Sequence, residues 1–196
     1  MSDGQAGHLG RVPSSPKLRR LGPVNWVMAK LAARSTRAAE MHLFTTLGQR
    51  QGLFWAWSIY GGRLLRGRLP RVDTELVILR VAHLRSCEYE LQHHRQMARQ
   101  HGLDAHMQAT IFAWPTVADN DGPRIILSAR QEALLKATDE LIKDRSISEG
   151  TWQQLATHLD RRLLIEFCLL ATQYDALAAT ITALDIPLDN PGSRQA

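Results

Sequence analysis

The sequence predicts an all-α protein built as one domain of packed helical hairpins. Apolar residues recur at three- and four-residue spacings along most of the chain, cap and stop residues bracket those segments, and no stretch requires a strand. With 196 residues, 44% of them hydrophobic, the chain has enough apolar side chain for one sizeable core.

Residues 1–22 carry Gly4, Gly7, Gly10, Pro13, Pro16 and Gly22 among few apolar side chains and read as a flexible arm. The domain is expected over 23–190, with its core motif at 70–113 and a short tail at 191–196. From Pro23, VNWVMAKLAARSTRAAEMHLFTTLGQ sets Val24, Val27, Met28, Leu31, Met41, Phe44 and Leu47 at helical spacing, giving one or two helices that stop at Gly48. Phe54, Trp55, Trp57, Ile59 and Tyr60 follow, an aromatic cluster suited to capping a core or lining a pocket, ahead of Gly61 and Gly62, read as a flexible pair.

Asp73, just past Pro70, is the expected N-cap of a helix through Leu76, Val77, Leu79, Val81 and Ala82. Apolar on most sides, that helix should be deeply buried. Its β-branched residues make a strand the competing assignment, but about a dozen residues without a turn signal favour helix. Ser86 is expected to cap a second helix from Cys87 to about Gln100, with Gly102 as its left-handed stop. A short helix over Ala105–Ala113 and a loop, WPTVADNDGPR, come next.

In the second half, Ala133, Leu134, Ala137, Leu141 and Ile142 share one face of a helix with Ser128 and Glu132 near its start. Ser148 and Asp160 are the expected N-caps of the last two helices. Residues 160–189 loosely echo 73–104, either as a degenerate repeat of the hairpin or as an unrelated pair of amphipathic segments.

The net charge of +5 and a pI near 9.7 raise the question of an anionic partner. Arg11, Lys17, Arg19 and Arg20 lie in the leader, and Arg63, Arg66, Arg68 and Arg71 cluster around Pro70. No zinc-finger spacing, aromatic sheet motif or basic recognition helix accompanies them, so a solvated surface is favoured over nucleic-acid binding. The chain has no apolar run of eighteen residues and no signal-like N-terminal centre, so a cytoplasmic protein away from the membrane is expected. Two cysteines, Cys87 and Cys168, suit a reducing compartment.

The chemistry concentrates in ELVILRVAHLRSCEYELQHHRQMARQHG. At 100° per residue, Cys87, Glu90, His94 and His101 fall within roughly 60° of one another on a helix. A cysteine at a helix start meets exposed amides that favour thiolate, and an imidazole can exchange its proton. Glu90 and His94 are one turn apart, so the carboxylate could orient the ring. Glu75, set in an apolar run, must find a partner or hold its proton. Together they suggest a relay of Glu75, Glu90, His94 and Cys87. The plainer alternative is a core cysteine, a satisfied histidine and a Glu75 that pairs with Arg80 or Arg85. Glu90 and His94 have E-x-x-x-H spacing with His101 nearby, but no second carboxylate helix is evident, so no metal or cofactor is expected.

These residues resemble the core of the carboxymuconolactone decarboxylase family, which includes the AhpD-like alkylhydroperoxidases: a glutamate opening an apolar helix, then C-x-x-(C/E)-x-x-x-H, then A-x-x-x-G. The resemblance implies packed helical hairpins assembled as trimers or hexamers. It also implies one of two chemistries. In the peroxidase branch Cys87 matches the first cysteine, His94 the histidine and Glu75 the upstream glutamate, while Glu90 replaces the second cysteine. Without that resolving thiol, a Cys87 oxidised by peroxide needs an external thiol reductant. In the decarboxylase branch Glu90-Leu91-Gln92-His93-His94 matches an E-L-x-x-H pattern, with Arg80 or Arg85 holding the carboxylate of a small lactone. The favoured expectation is a peroxidase-like thiol oxidoreductase acting on a small molecule, ahead of the decarboxylase and of a non-catalytic helical scaffold.

Overall fold

The computed structural model describes residues 10–36, 38–115 and 126–189, and these are helical with no strand. The helices are α1 (Leu18–Thr36), α2 (His42–Leu47), α3 (Gln51–Leu65), α4 (Arg71–Leu84), α5 (Glu88–Gln100), α6 (Ala105–Ala113), α7 (Ala129–Asp144), α8 (Glu149–Ala156) and α9 (Arg161–Leu184). The chain forms two compact units, one of residues up to Tyr60 together with those from Thr180 on, the other of Gly61–Ala179.

In the first unit α1 begins ahead of the expected start at Pro23. Gly22 interrupts it at φ 73 and ψ 164, and Pro23 opens the longer piece, where its fixed φ suits a first helical turn. Leu21 is 1% exposed, so the leader contributes a core residue, and the Arg11 amide donates to Leu184 O at 3.0 Å. The rest of the expected arm, 1–9, and the tail at 191–196 lie outside the described residues. Gly48 does follow α2, but with right-handed dihedrals. Its value is close approach, since a Cβ there would sit 2.5 Å from Phe44 O and 2.9 Å from Leu21. The aromatic cluster divides. Phe44, Phe54 and Trp57 pack ring against ring, while Trp55 lines a shallow recess of about 440 Å³ with Leu21, Pro23 and Val24.

The second unit is built around α4, buried from Asp73 to Ala82 and packed on α5, α6 and α7. Burial on all sides is why an apolar, β-branched segment is stable here as a helix. Gly61 and Gly62, expected to be flexible, are inside α3. Asp73 is not the N-cap of α4. The first helical bond runs from Thr74 N to Pro70 O at 2.9 Å, and Asp73 is instead buried in the first turn, paired with Arg130 at 2.7 Å.

Ser86 is not the cap of α5 either. It sits at φ 50, with Cys87 N donating to Ala82 O at 2.9 Å, the six-to-one bond that closes a helix C-terminus around a left-handed residue. Ser86 therefore ends α4, and Cys87 becomes the N-cap of α5. At the far end of α5, Gly102 takes the expected left-handed φ of 91, with Leu103 N bonded to Ala98 O at 3.0 Å.

Asp104, Ser128, Ser148 and Asp160 cap α6 to α9 through their side chains, Ser128 in a capping box with Gln131. Residues 161–184 form one uninterrupted helix and so do not repeat the hairpin of 71–100. By length and composition α9 could cross a membrane. Within the second unit it is a core helix: Phe167, Leu170 and Ala171 are buried, Glu166 accepts from the Arg68 and Leu69 amides, and Asp175 binds Arg85 and Arg145.

Candidate functional site

Cys87, Glu90, His94 and Glu75 all lie in the second unit, on the α4–α5 hairpin, and all are buried. The left-handed turn at Ser86 reverses the chain so that one face of α5 lies along α4. Glu75 Oε2 then meets His94 Nδ1 at 2.8 Å. Neither Arg80 nor Arg85 pairs with Glu75. Arg80 is held by Asp139 at 2.6 and 2.7 Å and donates to the carbonyls of Ile111, Phe112 and Trp114. Arg85 is bound to Asp175 and to Ile142 O. Both arginines expected to hold a substrate carboxylate are thus occupied by the fold.

The relay also differs from the expected one. Glu90 does not orient His94, since neither Glu90 carboxyl oxygen has a hydrogen-bond partner among the described residues. Two pairs stand side by side instead: Glu75 with His94, and Glu90 with the Cys87 thiol one turn before it on α5. His101, on the same ideal helical face, is the exposed residue ending α5 and stands apart. Among the described residues no three His, Cys, Asp or Glu side chains are grouped to hold a metal.

Burial decides the protonation of the second pair. It pushes the Cys87 thiol up to about 12, with the neighbouring Glu90 carboxylate adding to the rise. The amides of Glu90 and Tyr89 pull the other way, as a helix start should, but do not prevail. Burial likewise lifts Glu90 to about 8, opposed by the adjacent Cys87 thiol, and the Asp175 charge contributes to the rise. At neutral pH the resting pair therefore holds both of its protons for most of the time. The low thiol value expected from helix position alone does not occur.

Three participants were not singled out from the sequence as parts of the site. Tyr174 of α9 meets the His94 ring edge-on, with centroids 5.1 Å apart. Its phenol is raised well above its ordinary value by burial and by the Glu90 and Glu75 charges, with Arg71 opposing them. Asp175 acts on Glu90, and Arg71 lies one turn before Glu75 on α4. The polar Gln173-Tyr174-Asp175 interruption in an otherwise apolar helix is the signal that could have found two of them.

Residues 51–139 match the model of the carboxymuconolactone decarboxylase family. No curated protein is similar enough in sequence to match the chain. Among solved structures, the fold is similar to that of an uncharacterised peroxidase-related protein with an alkylhydroperoxidase AhpD core from Ralstonia eutropha JMP134: TM-score 0.76, 16% identity, 94% of this chain and 95% of that one. A peroxidase-related protein from Silicibacter sp. TM1040 aligns with TM-score 0.76 and 14% identity over 96% of each chain. A debrominase, Bmp8, solved as a cysteine-to-alanine variant with 2,3,4-tribromopyrrole, aligns with TM-score 0.69 and 12% identity over 95% of this chain and 94% of that one. Residues 51–139 thus carry the match to the carboxymuconolactone decarboxylase family, and the chain has the helical fold of the AhpD-like proteins.

Proposed function

We propose that the chain is a thiol-dependent, peroxidase-like oxidoreductase with Cys87 as its nucleophile. The observation that carries this reading is a buried thiol one turn from a carboxyl group whose two oxygens have no partner among the described residues. When Glu90 is ionised it takes the thiol proton. The thiolate sulfur attacks the terminal oxygen of a hydroperoxide, forming an S–O bond as the O–O bond breaks. The alkoxide leaves as alcohol with the proton from Glu90, and Cys87 is oxidised by two electrons to sulfenic acid. An external thiol displaces water to give a mixed disulfide, and a second thiol frees Cys87. Glu75 fixes the His94 ring beside this pair, where His94 can exchange a further proton. The reading extends to a small-molecule substrate, a cytoplasmic setting and a trimeric or hexameric assembly.

A second reading is favoured by the raised value of Glu90, which keeps a general acid loaded at neutral pH. In it Glu90 and His94 carry out acid/base chemistry on a carboxylated lactone. The two readings have opposite pH dependence. With Cys168→Ser as the parent, Cys87 alkylation and dithiothreitol-supported consumption of tert-butyl hydroperoxide should rise through about pH 8, fall sharply in Glu90→Gln and vanish in Cys87→Ser. Lactone turnover that declines through that pH and survives Cys87→Ser replaces thiol catalysis with the second reading. If neither activity is found, both are sunk and the helical scaffold remains.

A further inference from the structure

From Arg162 to the end of the second unit at Ala179, the exposed residues of α9 are Arg162, Ile165, Leu169, Thr172, Ala176 and Ala179. Their spacings alternate three, four, three, four, three, the repeat that holds one narrow seam in line along a helix. Past Arg162 the seam carries no charge, and Ile165 and Leu169 are 57% and 43% exposed. A helix side that meets only water has no reason to stay free of charge over that length. The length of α9 would let it cross a bilayer, but its other sides bury Phe167 and Leu170 and bind Arg85 and Arg145 through Asp175. Only the seam is left to offer.

We propose that this seam docks on the same seam of a second copy of the chain, antiparallel about a two-fold axis at Thr172. The side-chain volumes make it self-complementary. With Thr172 opposite itself, Ala179 of the second copy falls opposite Ile165, and Ala176 of the second copy beside Leu169, so each bulky side chain meets a small one. Parallel pairing would set Ala176 and Ala179 against themselves, leaving gaps, and would bring Arg162 against Arg162 of the other copy. The charges favour the same arrangement. The first turn of α9 holds no acidic residue and begins with Arg161 and Arg162, which oppose its own dipole, and antiparallel pairing lays that end toward the carboxyl end of the other helix. The inference rests on the oligomeric part of the reading above and is independent of the thiol chemistry. A two-fold contact belongs to a hexamer and not to a simple trimer.

The test is disulfide trapping in full-length Cys168→Ser protein, where Cys87 is the remaining native thiol and is buried. On mild oxidation Thr172→Cys should link two copies about tenfold faster than Gln154→Cys, an exposed position on α8 that reports random collision. Ile165→Cys alone should stay near the collision rate, because its two copies lie about 21 Å apart along the antiparallel pair. Adding Ala179→Cys to the same chain should make it link. Ala176→Glu, a charge set in the seam, should halve the mass measured by light scattering with helix content unchanged. Thr172→Cys linking only at the collision rate overturns the inference, as does fast linking of Ile165→Cys alone, which marks a parallel pair. In either case a parent that is still a trimer leaves the oligomeric reading standing without this contact, whereas a monomeric parent overturns both.

Discussion

The two ends of α4 treat buried charge in opposite ways. Toward its C-terminus Arg80, 2% exposed, is satisfied by both oxygens of Asp139 and by three backbone carbonyls, and Lys143 adds to Asp139 at 2.8 Å. Toward its N-terminus Arg71 Nη1 and Glu75 Oε1 lie buried without hydrogen-bond partners among the described residues, as do both Glu90 oxygens on the facing α5. A closed network has nothing left to offer a ligand, so the Arg80 end is a structural clasp joining α4, α6 and α7. The open end retains donors and acceptors at a cost to stability that a purely structural role does not require. The contrast assigns stability to the Arg80 clasp and chemistry to the groups left open.

The largest effect expected from this contrast is at the clasp. Arg80→Ala leaves Asp139 without its main partner and three carbonyls without a donor, and should lose about 3–5 kcal/mol in urea unfolding. The Cys87 alkylation rate of the folded molecules should remain that of the parent. A loss below about 1 kcal/mol, within the range of an exposed ion pair, would break the comparison.

At the open end Glu90→Gln should lower the Cys87 alkylation rate above pH 8 by about a hundredfold, the size of a lost general base. Its stability should move the other way. Because Glu90 is lifted from its ordinary 4.5 to about 8, the folded protein keeps a proton that the unfolded chain has released across that interval. Stability therefore falls as pH rises from about 4.5 to about 8 and levels off above. Glutamine has no such penalty, so Glu90→Gln should melt about 5 °C above the parent at pH 8 and level with it at pH 4. A variant both slower and more stable marks a site kept for chemistry; one that is slower and less stable would make Glu90 a structural residue.

What the sequence could show follows the range of the interactions. Caps and stops at Gly102, Ser148 and Asp160 were legible because each is settled within a few residues. Asp73 and Ser86 were misplaced although they too are local, because each could serve two neighbouring ends: Pro70 already supplies the first carbonyl of α4, and the last turn of α4 claims Ser86. The hairpin's apolar pattern and the Cys87, Glu90 and His94 spacing were visible, but the pairing was not. Helical spacing equally allows His94 to meet Glu90 on its own helix or Glu75 on another. Only the packing of α5 along α4 selects Glu75. Arg80 and Arg71 look alike in sequence, and what separates them is Asp139, 59 positions from Arg80, with no counterpart for Arg71 Nη1 among the described residues.

The smallest effect expected concerns the anchor ahead of α4. The segment before it is anchored by Glu166 of α9, which accepts from Arg68 N at 3.0 Å and Leu69 N at 2.8 Å. That approach is possible only because residue 67 is glycine, since a Cβ there would fall 2.0 Å from Glu166 Oε1. Gly67→Ala forces the flexible Glu166 side chain aside and releases two amides, which are near the surface and can turn to water. The stability loss should be modest, about 1–2 kcal/mol in urea unfolding. α4 begins directly after this anchor and Pro70, so the change stays at its first turn, at the opposite end from the Ala82 carbonyl that holds Cys87. Cys87 alkylation should therefore change by less than about threefold, while Glu166→Gln, which keeps one acceptor oxygen, should fall between Gly67→Ala and the parent in stability. Stability lost in Gly67→Ala with the parent's alkylation rate retained would show that the chemistry depends on the open groups around Cys87 and not on the anchored start of α4, whereas a rate that falls with stability would tie the two together.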